Sequence, residues 1–321
     1  MRAAYIERYG PPERISLVET PIPEAGAGEV LVKVEAAAVT AGDARLRAGR
    51  FPRGFALPAR LAIGIRGPRS RIPGAVLSGR VERVGDGVAD LSRGDAVAGM
   101  TGMRLGAHAE YAVVPATRLA LKPAAVSHAD AAAALFGGTT ALHFLRGRVG
   151  PGVTVLVNGA SGSVGTSAVQ LAARAGAVVT AVSSGANREL VASLGAQRVV
   201  DYRETPVTQL DERFDVVLDA VGNLSRSEGL RLTGPSGALA LVAAGLGDTL
   251  RARGRVLAGA APERREDFRE LLELLETGEL APVREVVGGL DALPEAHRRI
   301  DGGHKAGNLV ILPGAAEGTR S

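Results

Sequence analysis

Residues 154–182 read TVLVNGASGSVGTSAVQLAARAGAVVTAV. The β-branched run at 154–157 ends in a turn carrying Gly159, Gly162 and Gly165, spaced G-x-x-G-x-x-G. Ala168, Val169, Leu171, Ala172 and Ala175 then recur at helical spacing, Gly176 stops the helix, and a second apolar run fills 178–182. The order strand, glycine turn, helix, strand is half of a dinucleotide-binding fold. Glycine lets the backbone turn tightly and come close to a pyrophosphate, and free N–H groups at a helix start attract its negative charge. Ser161, Ser163 and Val164 sit among the three glycines and complete the expected cradle.

The end of the second strand bears on which dinucleotide is bound. A site for NAD places Asp or Glu about 20 residues past the first glycines, on the ribose 2′-hydroxyl. Here the strand runs into Ser183, Ser184, Gly185, Ala186, Asn187 and Arg188, with no carboxylate at its end, and Tyr202 and Arg203 follow the next strand at 199–201. Hydroxyls with a planar guanidinium suit a 2′-phosphate. The expected cofactor is NADPH, held by Ser183, Ser184, Arg188 and Tyr202.

Length and composition narrow the remaining possibilities. A chain of 321 residues can bury two cores. No apolar stretch is long enough to span a bilayer, and the start, MRAAYIERYG, lacks the apolar core of a secretory signal. The expectation is a soluble cytoplasmic protein with no membrane partner. Cysteine is absent, which excludes disulfides, thiol catalysis and cysteine-ligated zinc. The net charge of +4 is carried mostly by arginine, yet no basic stripe is interleaved with aromatics, so nucleic acid is not an expected partner.

Outside the glycine turn the chain divides into a β-rich part and an alternating part. Strands are expected at 3–7, 15–19, 29–38, 78–84, 96–100 and 110–114, punctuated by Gly and Pro. Residues 130–145 read as a buried helix broken at Gly137-Gly138. From Thr154 strand and helix alternate through 215–219, 238–242 and 256–259, giving six strands, enough for a complete doubly wound sheet. An amphipathic helix at 263–277, a short helix at 293–300 and a strand at 308–312 follow, with a frayed tail at 314–321. The fold class is α/β.

The motifs together resemble the medium-chain dehydrogenases/reductases of the zinc-independent quinone oxidoreductase type, similar to zeta-crystallin. The matching pieces run in the family's order: GEVLVKVEAAAV (28–39), Asp43 with RxG at 47–49, PGAVLSGRVERVG (73–85), GDAV (94–97), GAHAEYAVVPA (106–116), GTTAL (138–142), NGASGSVGTSAVQLA (158–172), ASLGAQRVVDYRE (192–204), FDVVLDAVG (214–222) and EAHRRIDGGHKAGNLVI (295–311). The resemblance implies a GroES-like β-rich catalytic domain at 1–120 and 260–321, and a Rossmann doubly wound parallel sheet binding NADP at 121–259. It implies cofactor contacts at Thr139, Val221, Gly222, Ala243, Ala244 and Asn308, where Asn308 replaces the family's lysine. A homodimer joined through sheet edges at 239–257 is also implied.

The departures from the family pattern concern chemistry. The zinc-binding relatives' cysteine would fall near Thr40 and their His-Glu pair on Ala75-Val76, so no metal site is expected. The five histidines, His108, His128, His143, His297 and His304, show no ligand spacing. Where many relatives carry Asn and Tyr this chain carries Thr40 and Phe51. Phe51 cannot give a proton and is expected to pack on substrate; Thr40 either steadies the substrate oxygen or the carboxamide, or bonds its own backbone at the strand end. The expected reaction is metal-free hydride delivery from NADPH to a quinone or to the C=C of an α,β-unsaturated carbonyl. Two alternatives stand beside it: a stereospecific enoyl reductase tailoring a polyketide-type intermediate, and a catalytically weak NADPH-binding structural or sensory protein. The insert at 50–71, RFPRGFALPARLAIGIRGPRSR, is either a solvated amphipathic loop or an apolar pocket wall whose arginines meet a carrier-bound substrate's phosphate.

Overall fold

A computed structural model describes residues 1–303 and 305–315 of the chain. It divides into two compact units: residues 1–51, 56–136 and 263–321 in the first, and residues 52–55 and 137–262 in the second.

The first unit opens with β1 (Arg2–Ile6) and β2 (Ile15–Glu19), paired antiparallel. The 11-residue β3 (Glu29–Val39) follows, then helices α1 (Ala41–Ala48) and α2 (Ala56–Ile63), and strands β4 (Val76–Val84), β5 (Ala96–Met100), β6 (Tyr111–Pro115) and β7 (Leu119–Leu121). Helix α3 (His128–Leu145) begins in this unit and ends in the second.

The second unit contains β8 (Thr154–Asn158), α4 (Ser163–Arg174), β9 (Val178–Ser183), α5 (Arg188–Ser193), β10 (Arg198–Asp201), β11 (Phe214–Asp219), α6 (Arg226–Leu232), β12 (Thr233–Leu241), α7 (Leu246–Leu250) and β13 (Val256–Ala258). The chain then returns to the first unit with α8 (Arg265–Glu276), β14 (Arg284–Gly288), α9 (Leu293–Asp301) and β15 (Asn308–Ile311).

The second unit's sheet has the order β10-β9-β8-β11-β12-β13, and every pairing is parallel. This is a complete doubly wound sheet whose order reverses between β8 and β11. Its strands are buried on both faces, as parallel strands covered by helices must be; Leu156, Val182, Val217, Leu239 and Val256 share one core. Each such side chain contributes roughly 1.5–3 kcal/mol on burial.

The first unit's seven-stranded sheet runs β14-β15-β3-β4-β5-β7, with β6 on β3. β3 is its spine, because alternate residues Val30, Val32 and Val34 face the core. The C-terminal β15 pairs with the far end of β3, setting Leu309 opposite Val39.

Several sequence expectations change. Helix α3 runs unbroken through Gly137-Gly138. Gly137 is there for proximity, since a Cβ on it would lie 2.2 Å from the Ser163 carbonyl oxygen. The two compact units part after residue 136, inside this helix. Its first half packs Ala132 and Ala133 against Ala36 and Val310 of the β-rich core. β7 and β14, each too short or too polar to signal in sequence, extend that unit's sheet. Part of the insert is helical, as α2. Residues up to 315 are tied down: the Ala315 carbonyl accepts from Arg2 Nη2 at 3.3 Å. The rest of the tail and His304 lie outside the described residues.

Burial of polar side chains in the first unit has a thermodynamic consequence. His297 on α9 is wholly inaccessible and neither ring nitrogen has a hydrogen-bond partner. Burial, with His108 and Arg47 facing it, pushes its pKa down to about 3. His128, whose Nδ1 meets Ser78 Oγ at 2.7 Å, is pushed down to about 4, chiefly by burial. A depressed histidine gives stability that is complete above the unfolded value near 6.5 and is lost as pH falls toward the folded value. Denaturation midpoints should therefore drop from about pH 6.5 downward, before most carboxylates titrate, with about 1.4 kcal/mol per pH unit from each group. His297→Met should flatten that slope; an unchanged slope would show that His297 is not its source.

Candidate functional site

The glycine turn lies between β8 and α4. Gly159 takes φ +81°, a left-handed conformation that side chains rarely adopt, and its Cβ would meet Val221 Cγ2 at 2.7 Å. Gly162 is the N-cap of α4 and supplies no side-chain cap. No side chain caps this helix start, and a helix N-terminus of this kind attracts an anion. Gly165 is needed for packing: a Cβ there would lie 2.1 Å from the Gly159 carbonyl oxygen and 2.6 Å from Ala160 Cα. A helix with an uncapped N-terminus set this close to the switch-point strand fits a pyrophosphate.

Two further loops close on the same strand ends. Asp219 ends β11 and is fully buried. Its Oδ1 accepts from Asn158 Nδ2 at 2.9 Å and from the Val221 and Gly222 amides at 3.0 Å each, and its Oδ2 accepts from the Leu224 amide at 3.1 Å. Asn158 Nδ2 also donates to Asn223 Oδ1 at 2.7 Å. The carboxylate thus fixes the Val221-Gly222 loop beside the glycine turn. Gly222, at φ +84°, admits Ala243 from the loop after β12, as a Cβ on Gly222 would lie 2.9 Å from that of Ala243. The structure therefore brings Gly159, Ser161, Gly162, Ser163, Val164, Gly165, Val221, Gly222, Ala243 and Ala244 to adjacent C-terminal strand ends of one sheet. Thr139, on α3, is buried in the same unit.

At the far side of this edge stand β9 and β10. Ser183 is buried and its hydroxyl donates to the Ser184 carbonyl at 3.2 Å. An acid does reach this place, from the neighbouring strand. Asp201 pairs in register with Ser183; its Oδ2 accepts from the Gly185 amide at 2.7 Å and its Oδ1 from the Arg203 amide at 2.9 Å. Both oxygens are taken by backbone, so the carboxylate shapes the turn. Tyr202 and Arg203 are exposed, with the Arg203 guanidinium carbon 5.9 Å from the Tyr202 ring centroid. Arg188 is exposed at the start of α5 and donates from Nη1 to the Val199 carbonyl at 3.0 Å.

Thr40, Phe51 and Asn308 belong to the first unit. Thr40 is the N-cap of α1 in a capping box with Asp43. Its Oγ1 donates to Asp43 Oδ2 at 2.7 Å and accepts from the Asp43 amide at 3.2 Å, and its own amide donates to Asp43 Oδ2 at 2.8 Å. In this geometry the Thr40 hydroxyl proton is directed to Asp43 at the start of α1. Phe51 sets its ring edge-on to Tyr9, centroids 6.3 Å apart, while the Tyr9 hydroxyl donates to the Gly64 carbonyl at 2.7 Å. Asn308 is buried and its Nδ2 donates to the Val283 carbonyl at 3.1 Å, so it braces the return strand.

Sequence reasoning passed over Asp219, Asn158 and Asp201. The acid closing each apolar strand, in FDVVLD and RVVD, was the available signal. Among the described residues no three His, Cys, Asp or Glu side chains cluster as metal ligands would, and none of Thr40, Ala75 and Val76 can supply a nitrogen or sulfur ligand.

Comparison with known proteins agrees with this architecture. A family model for an alcohol dehydrogenase GroES-like domain matches residues 26–124, and one for a zinc-binding dehydrogenase matches residues 194–311. A chloroplast quinone oxidoreductase of Triphysaria versicolor is 30% identical over 335 residues, with 98% of each chain covered. A chloroplast NADPH-dependent alkenal/one oxidoreductase of Arabidopsis thaliana is 29% identical over 91% of this chain and 74% of its own. The solved quinone oxidoreductase of Coxiella burnetii superposes with a TM-score of 0.86 at 26% identity, covering 97% of this chain and 99% of its own.

Two substitutions probe this geometry. Gly165→Ala should cost about 1–3 kcal/mol through overpacking and should abolish dinucleotide binding as measured by calorimetry; tight binding by a folded variant would show that the close approach is dispensable. Thr40→Val should cost about 1 kcal/mol by removing the cap, whereas Thr40→Ser should keep the stability of the parent in thermal unfolding.

Proposed function

The chain belongs to the quinone oxidoreductase type of the medium-chain dehydrogenase/reductase family, and on that premise we propose that it is an NADPH-dependent oxidoreductase reducing a quinone or the C=C of an α,β-unsaturated carbonyl. The observation that carries this reading is the uncapped start of α4 behind the left-handed Gly159 turn, a site built for a dinucleotide pyrophosphate. Bound NADPH supplies the hydride.

The residues of the chain bind and orient. First-turn amides of α4 hold the pyrophosphate. Val221-Gly222, clamped by Asp219, and Ala243-Ala244 shape the nicotinamide end. Tyr202, Arg203 and Arg188 present an aromatic face and two guanidinium groups to the 2′-phosphate, and Asp201 is withheld from the ribose by its two amide donors. Orientation in a preformed site is the main catalytic resource left to a protein without a metal.

Hydride addition at the electrophilic carbon would leave the electron pair on the carbonyl oxygen, so the product would need one proton. Thr40 has no spare proton while it donates to Asp43, and Phe51 has none. We assign the proton to water, with Thr40 as a cap that shapes the start of α1. The protein is further read as a cytoplasmic homodimer, using the edge strand β13 of the parallel sheet.

NADPH should bind at least about tenfold tighter than NADH, a difference of about 1.4 kcal/mol. Arg203→Ala and Arg188→Ala should each narrow that gap by weakening NADPH alone. Fluorescence titration of both cofactors tests this, and equal affinities in the parent protein would overturn it.

A further inference from the structure

Helix α2 and the turn after it are the part of the fold that neither core absorbs. None of the helix's side chains is buried. Leu57 and Leu61, four residues apart on one helical face, are 71% and 58% exposed, and Ile65 beyond the helix end is 66% exposed. An eight-residue helix containing Pro58, with only Ala59 and Ile63 partly buried and Arg60 set 5.5 Å from the Tyr9 ring centroid, has little reason to persist by itself.

Its C-terminal end is anchored instead. Arg69 donates from Nη1 to the Ala62 carbonyl at 3.0 Å and from Nη2 to the Leu61 carbonyl at 3.1 Å, taking up last-turn carbonyls. The Arg69 amide donates to the Ile63 carbonyl at 2.7 Å, and Tyr9 grips the turn through Gly64 and Arg66. The apolar ridge is thus held outward by polar bonds at its base.

The charge around the ridge is predominantly positive. Residues 50–71 contain no carboxylate, and Arg60, Arg66, Arg69 and Arg71 follow the helix face and its turn. Glu7, an exposed acid on the adjoining strand end, accepts from Arg71 Nη1 at 2.7 Å through its backbone carbonyl, and its single carboxylate is outnumbered by these guanidinium groups. A second copy of the chain docked face to face on this ridge would bring the arginines of one copy close to those of the other, which is unfavourable. An apolar ridge flanked by guanidinium groups is instead the pattern of an element lying in the plane of an anionic bilayer. There the aliphatic side chains enter the acyl boundary and the arginines stay among the phosphates.

We infer that α2 and the following turn are a peripheral membrane-docking element, in which Leu57, Leu61 and Ile65 insert into the surface of an anionic phospholipid bilayer and Arg60 and Arg66 contact its headgroups. The sequence suggests no membrane partner, since it has no apolar stretch of spanning length, and the exposure of these side chains is visible only in the fold. The inference does not require the quinone reading. If both hold, docking brings the enzyme to quinones dissolved in the lipid.

The test is flotation of the full-length protein with vesicles of phosphatidylcholine alone and with vesicles containing about a third phosphatidylglycerol, since each arginine near an anionic surface is worth about fivefold in partitioning. The expected result is at least tenfold more protein on the anionic vesicles. Leu57→Ser/Leu61→Ser/Ile65→Ser should lose at least nine-tenths of that binding, with its thermal midpoint little changed because these side chains are mostly exposed. Arg60→Gln/Arg66→Gln should lose the anionic preference. No vesicle binding by the parent, or equal binding by the triple serine variant, overturns the inference. So does a triple serine variant whose change is a smaller solution mass, which would assign the ridge to a second copy. Reduction of a water-soluble quinone, measured without vesicles, reports on the enzymatic reading separately: inactivity there with intact flotation would defeat that reading and leave this one standing.

Discussion

The rest of the second unit depends on one close approach, that of α4 to the end of β8. The Gly165 backbone stands where a side chain would strike the Gly159 carbonyl and Ala160. That contact aims the helix N-terminus at the strand end instead of past it. The Gly137 contact with Ser163 presses α3 onto the same first turn. Two glycines far apart in sequence thus serve one purpose: they let backbone meet backbone so that amides of α4 are presented without a side chain in the way. A helix start without a side-chain cap gives up the roughly 1 kcal/mol that a Ser, Thr, Asn or Asp cap contributes. The sequence gives up the cap at Gly162 at the place where an anion would restore the lost bonds.

Electrostatic design elsewhere on that sheet edge follows the same logic in reverse. Asp219 and Asp201 are carboxylates next to the place where an anionic cofactor would lie, which looks unfavourable. Both are spent on the backbone. Asp219 takes three amides and a side-chain amide, and Asp201 takes two amides. A carboxylate accepting several N–H groups spreads its charge into the loop and stiffens it. The loops that would touch nicotinamide and ribose are therefore rigid before any ligand arrives, and this lowers the ordering cost of binding.

How much of this could be read from sequence depended on the range of the interaction. The parallel sheet and its glycine turn were legible because period, β-branching and glycine spacing are local, although β12 starts at Thr233, five residues before the expected 238. The Gly137-Gly138 pair was misread as a helix break, since helix propensity registers the cost of glycine and not the neighbour that requires it. Asp201 was missed for the same reason: it acts on Gly185 from the adjacent strand, 16 residues away, and only register reveals it. The cap at Thr40 was open to either reading because T-x-x-D signals a capping box and a catalytic hydroxyl alike. Exposure of Leu57, Leu61 and Ile65 could not be read at all. In sequence they are apolar residues like any others, and their lack of partners is a property of the whole fold.

The Thr40 position also explains how a scaffold matched by a zinc-binding dehydrogenase model can be organised without metal ligands. A hydroxyl and a carboxylate three residues apart close on each other across the start of α1, and the pair leaves neither a soft ligand nor an unspent proton. The strand end is thereby committed to holding its helix. Position 75–76 carries Ala and Val, adjoining the buried first residues of β4, so its contribution is packing. On the metal-free reading proposed above, selectivity comes from what the remaining surfaces exclude and hold in place. An electrophile that accepts hydride at carbon and takes its proton from water asks for no more than that. A simple alcohol, whose oxidation needs a metal or a base to remove its hydroxyl proton, asks for a group that none of Thr40, Phe51, Ala75 and Val76 supplies.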